Sequence, residues 1–159
     1  MGETDHVEIV RGRIDEALAE ELASHWASAG VSDPRAARRR AEETVCVLRD
    51  ADGRVAGAGS AFVSTIPLIG NQVFWVYESA IPDPANYQPM LGACFEALAE
   101  EFASGGPTAV GLCVLTADRA VLERHREAVW PETGFLYAGF DPHGRQARVR
   151  YFEGARVYP

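Results

Sequence analysis

The chain contains no lysine: all 15 basic residues are arginine, and none lies between Arg54 and Arg119. A phosphate site in that arginine-free middle would have to rely on backbone N–H groups or on arginines brought from elsewhere. The 15 basic residues stand against 23 acidic ones, a formal charge of −8, which disfavours nucleic acid as a partner and favours cationic small substrates. No apolar run reaches the roughly 18 residues a membrane helix needs, so no membrane partner is expected. The stretch Met1 to Glu8 is acidic and polar, unlike a secretory signal or presequence, which makes the cytoplasm the expected location. Cys46, Cys94 and Cys113 are odd in number, far apart and set in apolar contexts, as reduced core thiols are. Neither they nor His6, His25, His125 and His143 show metal-ligand spacing, and no metal is expected. Repeats and low-complexity segments are absent. At 159 residues, 47% hydrophobic and 24% charged, the composition predicts one globular domain over 1–159.

What is there is organised around residues 73–102. Val73, Phe74, Trp75, Val76 and Tyr77 are apolar in both phases, which predicts a strand buried on both faces and followed by Glu78. A loop from Ser79 to Tyr87 then leads to Gln88-Pro89, with Pro89 expected at the first helical position. Leu91, Phe95, Leu98 and Phe102 follow at helical spacing. Such a strand-loop-helix unit aims unpaired N–H groups at its loop, a place suited to an anion.

Before it, Val7 to Val10 reads as a short edge strand and Ile14 to Ala29 as an amphipathic helix stopped by Gly30. Asp33-Pro34 starts a second helix, whose arginines 35 and 38 to 40 read as a solvated face balanced by Glu42 and Glu43 or as a dock for an anion. Thr44–Arg49 and Val55–Val63 form a hairpin; Gly57 and Gly59 thin its second strand enough for a ligand or another backbone to come close, or mark a twist. After the organising helix, Ser104 to Pro107 is a breaker and Ala109–Leu115 a second buried strand. Strand, helix and strand in that order predict a parallel pair with a right-handed crossover. A helix over 118–129 and a terminal hairpin, Phe135–Phe140 with Gln146–Phe152, close the chain. Gln146, Arg148 and Arg150 share one face of the last strand, read as a polar outer surface or a homodimer contact.

This layout resembles the GNAT superfamily of acyl-CoA N-acyltransferases over nearly the whole chain. Its local match is Gly134-Phe135, similar to the aromatic-x-x-x-Gly-Phe segment that enters the family's penultimate strand. The resemblance implies an α+β, three-layer α/β/α fold, with a mixed, mostly antiparallel central sheet holding one parallel pair flanked by helices. It implies acetyl-CoA or another acyl-CoA as co-substrate and a small-molecule amine as acceptor. The family's Gln/Arg-x-x-Gly-x-Gly/Ala loop falls on Gln88-Pro89-Met90-Leu91-Gly92-Ala93, and N–H groups near Ala80 and Ile81 would polarise the acyl carbonyl. Leu91 stands at a family glycine, Pro89 removes one N–H, and Trp130 stands where the family often has a tyrosine acid. Tyr87, Tyr137, Cys113 and His125 are the other candidates for that proton donor.

Glu78, in phase with Phe74 and Val76, falls where the family often places the carboxylate that deprotonates the amine. Partial desolvation would raise its pKa; the alternative is a solvated or capping carboxylate. Cys113 reads as a core thiol and Trp75 as core. An alternative function is a domain of this fold that has lost acetyl transfer and binds, regulates or acts on a biosynthetic intermediate.

Overall fold

The structure, a computed structural model, describes residues 6–106 and 108–157; the first five residues of the acidic N-terminus and Pro107 of the expected breaker lie outside that range. The elements in order are β1 (His6–Ile9), α1 (Glu16–Ser28), α2 (Pro34–Glu42), β2 (Thr44–Arg49), β3 (Val55–Ile66), β4 (Gln72–Ala80), α3 (Tyr87–Ala103), β5 (Gly111–Thr116), α4 (Arg119–Arg124), β6 (Leu136–Phe140) and β7 (Gln146–Tyr151). The strands form a seven-stranded sheet in the order β1-β2-β3-β4-β5-β7-β6. Its β4–β5 pair is parallel, while β1–β2, β2–β3, β5–β7 and β6–β7 are antiparallel, the mixed sheet that the resemblance implies. Among the described residues no helix is long and apolar enough to cross a membrane.

By contacts the chain divides into two compact units, one running to Ala61 and including Ser79–Cys94, the other made of Phe62–Glu78 and the chain from Phe95 on. In the first, α1 starts where the Asp15 carboxylate accepts from the Leu18 N–H at 2.8 Å, and Asp33 does the same for Arg35 at the start of α2. The four-residue recurrence of apolar side chains in α1 buries Leu22 and Trp26 with Ala37, Ala41, Val47 and Ala58. The arginines of α2 are largely bound within the unit. Arg38 pairs with Glu16 at 2.8 Å and Glu42 at 3.1 Å, and the Arg40 guanidinium lies 5.9 Å from the Trp26 ring. Gly57 admits neither ligand nor backbone: a Cβ there would lie 3.3 Å from the Met90 sulfur of α3, so its smallness serves helix packing.

In the second unit, Phe74 and Val76 bury one face of β4 with Ile66, Val110, Cys113 and Val149. Gly111 lies so close to the Arg150 carbonyl and Tyr151 Cα that any side chain would force β5 and β7 apart. Two expectations need correction here. The helix expected over 118–129 ends at Arg124, and the segment after it is held by tertiary donors instead of by further helical turns. The Trp130 indole donates to the His125 carbonyl at 3.0 Å, and the Arg148 guanidinium to those of Glu127 at 2.6 Å and Ala128 at 3.3 Å. By the same contacts Arg148 is no outer-surface residue: it is 2% exposed and stacks 4.5 Å from the Trp130 ring. Arg150 likewise turns inward, over the Phe95 ring at 3.9 Å and onto the Thr133 carbonyl. β7 lies between two strands, and its polar face is covered by the segment 125–135 that these arginines hold.

Candidate active site

The arrangement around Glu78 follows from strand register. β4 is buried from Phe74 to Tyr77 on both faces, and its parallel pairing joins Trp75, Val76 and Tyr77 to Leu112, Cys113 and Val114. Beyond those pairs β4 runs on to Ala80, whereas Leu115 and Thr116 of β5 pair with Ala147 and Gln146 of β7. The two strands part at Glu78, which is half-buried and in phase with Phe74 and Val76. Two residues on, Ala80 is buried, and its carbonyl accepts from His25 Nε2 of α1 at 2.9 Å. A carbonyl only accepts, so that ring nitrogen carries the proton, and donation into the Ala80–Ile81 peptide strengthens the Ile81 N–H as a donor.

The helix after β4 begins earlier than Pro89 suggests. A 3-10 turn at Pro84–Asn86 is capped by the Asp83 carboxylate on the Ala85 N–H at 3.0 Å, and α3 starts at Tyr87, whose N–H goes to the Pro84 carbonyl. Pro89 is therefore the third helical residue, still within the turn whose N–H groups lack intrahelical partners. In a helix starting at Tyr87 the N–H groups of Leu91, Gly92 and Ala93 point at the carbonyls of residues 87–89. Gln88 and Leu91 are buried, while Gly92 and Ala93 are half-buried. The segment 82–93 carries Asp83 as its charged side chain and has no cation.

A cavity of about 600 Å³ opens on the Glu78 side of the second unit. Phe62 and Ile66 of β3, Val76 of β4 and Leu115 of β5 make its apolar floor. Its rim is the β6–β7 turn, where the Asp141 carboxylate accepts from the His143 N–H at 2.9 Å, the Arg145 N–H at 2.8 Å and Arg145 Nε at 2.7 Å. Burial pushes the Asp141 carboxyl up, but these bonds and the guanidinium outweigh it and hold the group below the usual carboxylate range. In the sequence, residues 141–145 are only the link of the terminal hairpin; Asp141 four residues before Arg145 is the available signal of more.

No protein-family model matches the sequence, and no curated protein matches it either. Solved structures do. An acetyltransferase of the GNAT family from Streptococcus agalactiae 2603 superposes with a TM-score of 0.52 at 14% identity, over 96% of this chain and 98% of its own. The ribosomal-protein-S5-alanine acetyltransferase from Vibrio fischeri does so with a TM-score of 0.56 at 9% identity, over 99% and 98%. The chain has the GNAT fold.

Trp130, which the resemblance sets at a tyrosine position, is 0% exposed and held by His125 and Arg148, and an indole is no proton donor to a thiolate at neutral pH. Cys113 is an equally poor acid or nucleophile, since burial pushes its thiol up to about 12, as it does that of Cys46. Burial lowers the His125 pKa, and Tyr87 is buried while Tyr137 is exposed. At pH 8 an aromatic disulfide reagent should label none of the three cysteines in the folded protein and all three after unfolding; fast labelling of Cys113 would restore it as a nucleophile.

Proposed function

We propose that the protein is an N-acyltransferase that moves an acetyl or related acyl group from coenzyme A to the amine of a small molecule. The observation that supports this best is the parting of β4 and β5 at Glu78, because it leaves strand backbone for an acyl-thioester arm beside a carboxylate above an apolar cavity. Bound acyl-CoA supplies an acyl group activated as a thioester. Glu78 accepts the proton of the attacking amine, directly or through a water. Within the first unit, the His25 bond polarises the Ala80–Ile81 peptide and makes the Ile81 N–H a stronger donor for a developing oxyanion. The apolar floor excludes water and holds the acceptor.

The residues present fit the arm of the thioester better than its diphosphate. The turn before α3 is self-capped and acidic, so the Gln88 to Ala93 run provides no cationic cradle. That favours, as the second reading, a domain that keeps the fold and has lost acetyl transfer. A thermal-unfolding scan separates the two, since a ligand at 100 times its dissociation constant adds about 2.7 kcal/mol of stability. Acetyl-CoA and acetyl-pantetheine at millimolar concentration should raise the midpoint by similar amounts, because the diphosphate adds little. A much larger shift with acetyl-CoA would show a working cradle, and no shift with either would sink the acyltransferase.

A further inference from the structure

The cavity lined by Val76, two residues before Glu78 on the same face of β4, has a chemistry that the net charge of −8 does not predict. Its floor is hydrocarbon, and Leu68 on one wall packs close enough to Gly139 of β6 that a Cβ there would touch it at 3.8 Å. Phe140, 54% exposed, extends the apolar surface to the rim. The charged residues lining it are Asp141 and Arg145, with the titratable His143 beside them.

These rim groups are not equivalent toward a ligand. Asp141 turns inward, its side chain 9% exposed and both oxygens committed to the turn. Arg145 is 40% exposed and engages that carboxylate through Nε, which leaves the two terminal nitrogens of its planar fork for a second partner. The ion pair closes the turn, but closing it needs only the Nε edge. What the cavity offers at its polar end is therefore donors, from Arg145 and the His143 ring, and at its other end an apolar surface. Glu78 follows Val76 in phase, about 6.6 Å further along the strand.

Resting on the acyltransferase reading for its chemistry, we propose that this cavity takes the acceptor, an amine with an apolar body and a carboxylate that pairs with the outer edge of Arg145. The apolar body covers Val76 and Leu115, the carboxylate lies at the β6–β7 turn, and the amine is directed toward Glu78. The substrate class is thus an apolar amino acid or a compound of that pattern, rather than a polycation.

The test separates this from the reading it rests on, because binding is measured without an acyl donor. Calorimetry would compare 3-phenylpropionate, its neutral amide and 3-phenylpropylamine. The carboxylate should bind about tenfold or more tighter than the amide, as a charge-assisted pair implies. Arg145→Gln should erase that preference and leave amide binding unchanged, and Phe140→Ala should weaken all three alike. Equal or tighter binding of the amide or amine, a preference that survives Arg145→Gln, or no binding of any probe would overturn the inference. If Arg145→Gln does not fold, the wild-type ranking decides it. Thiol release from acetyl-CoA with phenylalanine, phenylalaninamide and phenethylamine is then read separately. Carboxylate-selective binding with no release supports the cavity and overturns the transferase, whereas release with no carboxylate preference does the reverse.

Discussion

Glu78→Gln should lower turnover by about 10²- to 10⁴-fold, the range that general acid–base groups supply, while leaving the unfolding midpoint nearly unchanged. Glutamine keeps the shape and one acceptor of the carboxylate but cannot take the proton that an attacking amine must lose. The side chain is half-buried at the point where β4 leaves β5, so it contributes little to the core packed around Phe74 and Val76. Substrate binding should survive, which predicts a fall in kcat with KM within a fewfold of wild type. A base works only when ionised, so the wild-type rate should rise with pH along an acidic limb that the variant lacks. Unchanged turnover, or a loss traced wholly to unfolding, would remove Glu78 from the mechanism.

The fold was legible wherever local pattern and tertiary context agree. A run apolar in both phases predicts β4, and the strand-helix-strand order predicts its parallel partner, because burial on both faces leaves few other arrangements. The start of α3 was misread for a local reason. Asp83-Pro84 is the same cap-and-proline signal that begins α2 at Asp33-Pro34, yet Pro89 lies closer to the apolar stripe and drew the boundary. The end of α4 is not legible locally because the segment after it is held by the Trp130 indole and by Arg148, a side chain of a strand distant in the chain. The cavity was hidden for a similar reason: its floor draws on three strands, and its rim comes from a turn whose sequence announces only a turn.

Arg148→Ala carries the largest expected loss of stability. The guanidinium is 2% exposed, accepted by the carbonyls of Glu127 and Ala128 and by Gln146 Oε1 at 2.7 Å, and stacked on Trp130. Truncation takes the charged donor from the Glu127 carbonyl, while the Ala128 carbonyl keeps the Tyr137 N–H at 2.8 Å; losing hydrogen bonds made by a charged group costs about 1.5–3 kcal/mol. It also removes the cation from the indole face, worth about 2 kcal/mol when desolvated. A net loss of about 3–5 kcal/mol allows for partial relaxation, as for other buried networks broken from one side. At roughly 2–4 °C per kcal/mol for a chain of this size, the midpoint should fall by about 10 °C or more. Arg148→Lys should recover only part of this, since a single ammonium cannot span both carbonyls and stack. The loss belongs to the segment 125–135, so hydrogen exchange should rise first there and in β6, ahead of α1 and α2. A variant with an unshifted midpoint would mean that Arg148 is carried by the fold and does not hold it.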